Sequence, residues 1–263
     1  MNISGTKILL TGATGGIGEA IARELSGAGG KLVLSGRRAD VLERVSRDTG
    51  ATVEIADLSD RSQLSDLISS NLDADILIAN AALPASGELL EFSTDEIDRA
   101  LDVNLRAPVM MSRLIGEGMR SRRRGHIVLI SSLAGKVATG GSSLYSTTKF
   151  ALRGFGAGLR ADLAGAGVGV SVVFPGFIRD AGMFHESGVA LPKYVGTSTP
   201  EDVAAAVRHA IESDRGEIDV APLGVRAATK LSELAPTSMA AIVRRLGSDD
   251  FTSEMAQSQA DKR

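Results

Sequence analysis

The chain has no cysteine, no tryptophan, only two tyrosines and an aromatic share of 3%. Without thiols there is no disulfide framework, no thiolate metal site and no cysteine nucleophile, as expected of a protein from a reducing compartment. So few rings leave no platform for stacking single-stranded bases. Excess charge of one sign is missing too: 29 Lys and Arg face 32 Asp and Glu, a formal net charge of −3. General attraction to phosphate polymers or anionic membranes is therefore not expected, and any anion site must be local. Apolar runs are short. None approaches the roughly 18 residues of a membrane span, and the run at 8–10 is too brief for a signal-peptide core. His126, His185 and His209 are scattered without ligand spacing, so no metal site is expected. The expectation is a cytoplasmic protein that takes neither metal nor nucleic acid.

What is present is ordinary for a globular protein: 43% hydrophobic and 23% charged residues in a chain of 263, enough to bury a substantial core. Short Val, Ile and Leu runs at 7–10, 31–34, 52–56, 75–79, 126–130, 168–174 and 217–220 alternate with longer amphipathic stretches. That alternation predicts βαβ units: a Rossmann-like, doubly wound, parallel seven-stranded sheet in one α/β domain, with its ligand crevice at the carboxyl ends of the strands. Ser93-Thr94-Asp95-Glu96 reads as a capping box, and Thr199-Pro200-Glu201-Asp202 as an N-cap followed by Pro at N1. The catalytic domain is expected over 1–222, a helical extension over 223–252 and a disordered tail over 253–263.

Directly after the first strand stands Thr11-Gly12-Ala13-Thr14-Gly15-Gly16-Ile17-Gly18, followed by a helical pattern. Gly12, Gly15, Gly16 and Gly18 allow a tight turn that brings backbone amides against a pyrophosphate, and the helix N-terminus adds a favourable dipole. A plain tight turn is the alternative, but the position at the first βα junction favours dinucleotide binding. The second strand ends in Arg37-Arg38, with no acid before Asp40. An NAD site places an acid there, whereas two guanidinium groups suit a 2′-phosphate, so NADP(H) is expected over NAD(H).

Tyr145 and Lys149 stand four residues apart, one above the other on a helix. An ammonium so placed is expected to lower the phenol pKa from about 10 and make Tyr145 a general acid or base. Ser132 stands 13 residues before the tyrosine.

These segments resemble the compact single-domain branch of the short-chain dehydrogenase/reductase (SDR) family. The likeness spans about residues 5–222 and rests on Thr11-Gly12-x-x-x-Gly16-x-Gly18, Tyr145-x-x-x-Lys149 and the spacing to Ser132. It implies a hydride transfer between nicotinamide and a carbonyl or alcohol carbon. Tyr145 would move the proton, Ser132 would hold the same oxygen, Lys149 would bind the nicotinamide ribose, and Asn104 would support a water-mediated proton path. It further implies that Thr14, Ile17, Asp57, Leu58, Asn80, Ala81, Pro175, Gly176 and Ile178 line the cofactor, beside the glycines, the two arginines, Tyr145 and Lys149. Two departures stand out: Ala79-Asn80-Ala81-Ala82 where the family often has Asn-Asn-Ala-Gly, and Asp180-Ala181-Gly182 where it often has a threonine near the carboxamide. A dinucleotide-binding regulator without turnover is the alternative function, disfavoured by the complete set Ser132, Tyr145, Lys149 and Asn104.

The loop 177–199 reads as one irregular stretch carrying Phe177, Ile178, Met183, Phe184, Val189, Leu191 and Tyr194. It suits a lid over an apolar or amphipathic carbonyl substrate. The run Arg120, Arg122, Arg123 and Arg124 reads as a helix end favoured by the dipole, and Met110 and Met111 as core filler. Beyond the motifs, Leu231, Leu234, Met239, Ile242, Val243 and Leu246 recur at helical spacing, broken by Pro236. Burial of this stripe in a homodimer or homotetramer is the expectation, with a basic amphipathic helix on a membrane surface as the second reading.

Overall fold

A computed structural model describes residues 1–189, 196–237 and 258. Each of the seven expected strands forms: β1 (Lys7–Thr11), β2 (Lys31–Gly36), β3 (Thr52–Ile55), β4 (Ile76–Ala79), β5 (Gly125–Ile130), β6 (Val168–Pro175) and β7 (Glu217–Val220). They pair in the order β3-β2-β1-β4-β5-β6-β7, all parallel. The winding reverses between β1 and β4, which opens a crevice beyond their carboxyl ends.

Strand side chains alternate between two apolar layers. Ile8, Leu10, Leu34, Ile76, Ile78 and Val128 pack beneath α1 (Gly16–Gly27), α2 (Ala39–Thr49) and α8 (Pro200–Ser213). On the other face Leu9, Val33, Leu77, Ile127 and Leu129 meet α3 (Arg61–Ser69), α5 (Ala107–Arg122) and α6 (Ser143–Leu163). Burial on both faces explains why the strands are almost continuously apolar.

Local chemistry sets the helix ends. The hydroxyl of Ser93 accepts from the Glu96 amide at 3.2 Å and the Glu96 carboxylate accepts from the Ser93 amide at 2.8 Å, which starts α4 (Thr94–Leu101). Thr199 and Asp202 form the same reciprocal pair ahead of Pro200. Each cap stabilises its helix by about 1 kcal/mol. Between α4 and α5 the chain makes a π-helical turn, Asp102–Arg106. Pro108 has no N–H to give the carbonyl of residue 104, the bond an α-helix would need there. The basic run behaves as expected of a helix end: Arg122 donates to the carbonyl of Ala74 at 2.8 Å, and Arg123 closes α5 in the left-handed region at φ 52°. Met111 is fully buried, with Met110 packed against the same core.

The loop after β6 is not wholly irregular. Gly182–Ser187 form a short helix, α7, whose Phe184 meets Phe177 edge to face at 5.2 Å. The Ile178 side chain turns into the core, 3% exposed, while its backbone bridges that of Ser198 and ties the two ends of the loop together. After β7, α9 (Leu223–Leu234) ends just before Pro236. Leu191 and Tyr194 in the loop, and Met239, Ile242, Val243 and Leu246 in the expected second helix, lie outside the described residues.

Candidate active site

The glycine turn is shaped by contacts that leave no room for a side chain. Gly12 is left-handed at φ 66°, and a Cβ there would stand 2.7 Å from the Cα of Ala81. A Cβ on Gly18 would stand 2.2 Å from the Gly12 carbonyl oxygen, and one on Gly16 would meet the Cβ of Ala181 at 2.3 Å. Gly15, by contrast, has only the Gly12 carbonyl at 3.7 Å. It is also the N-cap of α1, without a side-chain cap. The first amides of α1, at Gly16, Ile17 and Gly18, therefore present a positive helix terminus to the crevice, the arrangement a pyrophosphate requires.

Thr11 and Asn80 stitch this turn to β4. The Asn80 side-chain amide donates to the carbonyls of Thr11 (3.1 Å) and Gly12 (3.0 Å), while the Thr11 hydroxyl accepts from the amides of Asn80 (3.2 Å) and Ala81 (3.3 Å). Asn80 thus reinforces the turn from behind, and Thr11, the first residue of the glycine motif, is its buried counterpart. The retained amide at Asn80 meets this requirement despite the changed residues on either side.

At the end of β2 the two arginines diverge. Arg38 donates to the carbonyl of Thr14. Arg37 faces Asp57, with Nη1 3.8 Å from Oδ2, and Arg99 from α4 approaches the same oxygen at 4.0 Å. The other carboxylate oxygen of Asp57 accepts from the amide and hydroxyl of Ser59 at 2.9 and 2.7 Å. Burial works against these contacts, but they outweigh it and hold the Asp57 carboxyl below its usual pKa. Leu58 beside it is buried in the core. The role of Arg99 has no sequence signal, because it arrives from an element 62 residues beyond Arg37.

The catalytic candidates converge at the ends of β5 and β6. Ser132 follows β5 and hydrogen-bonds the Tyr145 hydroxyl. Its own oxygen accepts from the Ala134 amide at 3.1 Å and lies 3.4 Å from the Pro175 carbonyl. Gly176 continues that turn, its amide donating to the Val220 carbonyl at 3.0 Å. Lys149 is buried, donates to the Ile130 carbonyl at 3.1 Å and lies 5.5 Å from the centre of the Tyr145 ring. Ser131 grips the same helix, its hydroxyl donating to the Lys149 carbonyl at 2.9 Å.

The electrostatics correct one expectation. Burial pushes the Tyr145 phenol up to about 12, only partly offset by the Ser132 hydrogen bond, and no lowering by Lys149 is evident. Tyr145 as a whole is half-buried, but its hydroxyl is desolvated. Burial likewise pushes the Lys149 ammonium down to about 8. The low-dielectric site disfavours the charged form of both groups.

Asn104 lies in the π turn, which packs against α6. Its side chain is buried and clamps Leu83, accepting from the amide at 2.7 Å and donating to the carbonyl at 3.0 Å. Both ends of the side chain are thus engaged in holding the segment after β4. The Asn104 main-chain carbonyl, deprived of its α-helical donor by Pro108, is a candidate acceptor.

With this geometry in view, comparison with known proteins is decisive. The short chain dehydrogenase family matches residues 6–190. The chain belongs to the short-chain dehydrogenase family. Ketoacyl reductase HetN of Nostoc sp. is 35% identical over 98% of this chain and 94% of its own length. The 3-oxoacyl-(acyl-carrier-protein) reductase FabG of Rickettsia prowazekii is 31% identical, over 79% of this chain and 89% of that protein. Among solved structures, a short-chain dehydrogenase from Sphingobium yanoikuyae in complex with NADPH superposes with a TM-score of 0.76 at 25% identity, covering 90% of this chain and 95% of that one. The chain is accordingly an oxidoreductase of a family that uses nicotinamide cofactors. Among the described residues, no helix is long and apolar enough to cross a membrane, and no cluster of His, Asp or Glu could hold a metal.

Proposed function

We propose that this protein is an NADP(H)-dependent carbonyl reductase, reversible as an alcohol dehydrogenase, acting on an apolar or amphipathic small-molecule substrate. The observation that carries the reading is the contact between the Ser132 and Tyr145 hydroxyls with the Lys149 ammonium behind them. Two hydroxyls so placed would give a substrate oxygen a hydrogen bond from each.

The glycine turn fits the cofactor, since its uncapped helix terminus and the open side of Gly15 accommodate a pyrophosphate. Gly12, Thr14, Gly15, Gly16, Ile17 and Gly18 would hold it. Asp57, Leu58, Asn80 and Ala81 would border the adenosine half, Pro175, Gly176 and the Ile178 backbone the nicotinamide half, and Arg37 with Arg38 the 2′-phosphate. When bound, the nicotinamide supplies the hydride to the carbonyl carbon or takes it back. Tyr145, protonated at neutral pH, gives its proton to the carbonyl oxygen in the reducing direction and is left as tyrosinate. Ser132 donates a hydrogen bond to that oxygen as charge develops on it. Lys149 holds the ribose hydroxyls and stabilises the tyrosinate once formed, and the Asn104 carbonyl supports a water-mediated path that returns the proton.

The substrate class rests on Phe177 and Phe184, which bring apolar surface to the loop beside the crevice, and on the relatives named as ketoacyl reductases. The test is a panel of 3-oxoacyl thioesters, simple ketones, aldehydes and small charged oxoacids, assayed with NADPH and NADH by nicotinamide absorbance. Turnover of the longer acyl or apolar ketones with NADPH is expected. Absence of turnover across the panel, with dinucleotide still bound, would assign a binding role instead.

A further inference from the structure

The helix α9 is mounted with the wrong side out. Its buried positions are Thr229 and Ser232, whose hydroxyls are satisfied within the helix by the carbonyls of Val225 and Ala228, each at 2.9 Å. Its leucines face outward: Leu223 is 79% exposed, Leu231 57% and Leu234 84%. At 100° per residue these three fall within one quadrant of the helix, and Arg226 and Lys230, both exposed, flank that quadrant on one side. The acid in the last turn, Glu233, is drawn away by an ion pair with Arg153 of α6. Neither Arg226 nor Lys230 has an acidic partner among the described residues. The helix also starts beside the site: its N-cap Pro222 packs on Gly196, and the preceding Ala221 packs on Gly176 of the nicotinamide-side turn.

We infer that α9 docks on an anionic lipid surface, with Leu223, Leu231 and Leu234 in the acyl boundary and Arg226 and Lys230 among the headgroups. Exposed leucines on a soluble fold lose free energy that burial in the acyl layer recovers. Long basic side chains lay their stems along apolar surface while the charge reaches outward, which suits lysine and arginine at the edge of a lipid-facing stripe. A second copy of the chain fits this face less well. Symmetric pairing would bring Arg226 and Lys230 of both copies to one seam with no acid to offset them. The net charge of −3 means that this attraction is local to the helix and not a property of the whole surface. A surface held there lies next to the crevice. The inference does not depend on which carbonyl compound is reduced.

The test is sedimentation of the full chain with vesicles of phosphatidylcholine alone and of phosphatidylcholine containing phosphatidylglycerol, with mass in solution measured in parallel. Binding to the anionic vesicles only, weakened by salt, is expected. The double variants Arg226→Gln/Lys230→Gln and Leu231→Gln/Leu234→Gln should each lower partitioning roughly tenfold or more. Both pairs are exposed, so unchanged circular dichroism and melting temperature are expected, which separates lost docking from lost folding. Three outcomes would overturn the inference: no binding to anionic vesicles, binding untouched by both variants, or a dimer in solution that the leucine variant dissolves. The last would assign the face to a second copy.

Discussion

The Lys149 ammonium donates to the carbonyl of Ile130 at 3.1 Å while lying 5.5 Å from the centre of the Tyr145 ring. The lysine is thus tethered to the end of β5 and does not reach the phenol directly. In the proposed mechanism it acts on the tyrosinate, once formed, as a nearby charge in a site of low dielectric, and that charge is present only while the ammonium keeps its proton.

A pH dependence follows. Burial pushes Lys149 down to about 8, so the charged form dominates below that value and is lost as pH rises through it. In the reducing direction kcat/KM is expected to be level below about pH 8 and to fall with unit slope above it. Tyr145, pushed up to about 12, stays protonated throughout and adds no break in the neutral range. A pH profile with saturating NADPH checks this, and a flat profile through pH 8 would contradict the role given to the lysine.

Tyr145→Phe removes the proton donor and leaves the ring in place. Turnover should fall about 100- to 10,000-fold, with NADPH affinity by calorimetry nearly unchanged. Lys149→Ala should weaken both, because the ammonium is proposed to hold the ribose as well. A Phe variant with most of its activity intact would rule out Tyr145 as the proton donor.

Arg37 pairs with Asp57 at 3.8 Å, beyond hydrogen-bond range, and both groups are partly exposed. Such a pair is weak, so the guanidinium can turn to a phosphate at small cost. Arg37→Ala should narrow the preference for NADPH over NADH by about 10- to 100-fold, the loss of one charge-assisted hydrogen bond. Dissociation constants for the two cofactors, measured with both proteins, decide it. Equal wild-type affinities would remove the basis for NADP selectivity.

His126 is buried at the start of β5, its Nε2 2.8 Å from the Ser171 hydroxyl. Burial pushes its pKa from 6.5 down to about 4, against a smaller opposing pull from Asp214. The unfolded chain therefore takes up this proton first as pH falls, and stability is lost between about 6.5 and 4. The loss should reach about 2 kcal/mol by pH 5. Carboxylates held low in the folded state, such as Asp214 and Glu217, act mainly at lower pH. Urea unfolding at pH 7 and pH 5 should show the drop in the wild type and a much smaller one in His126→Gln.

The strands, both capping boxes and the glycine turn were legible in the sequence because the signals that build them are local. A run of Val, Ile and Leu must be buried on two faces, Ser93 and Glu96 cap one another within a single turn, and Tyr145 and Lys149 share a helix face whatever surrounds them. What only the tertiary structure decided depends on distant elements. Thr11 became the partner of Asn80 because β1 and β4 are neighbours in the sheet. The Asn104 side chain was taken up by Leu83, Ile178 was drawn into the core, and Arg37 met Asp57 from another strand end. The direction of the Tyr145 shift could not be read from its spacing to Lys149, since desolvation is a property of everything packed around the phenol. The outward face of α9 is of the same kind. A pattern of leucines specifies an apolar stripe, but which side of the helix meets the body was settled by Thr229, Ser232 and the Arg153–Glu233 pair.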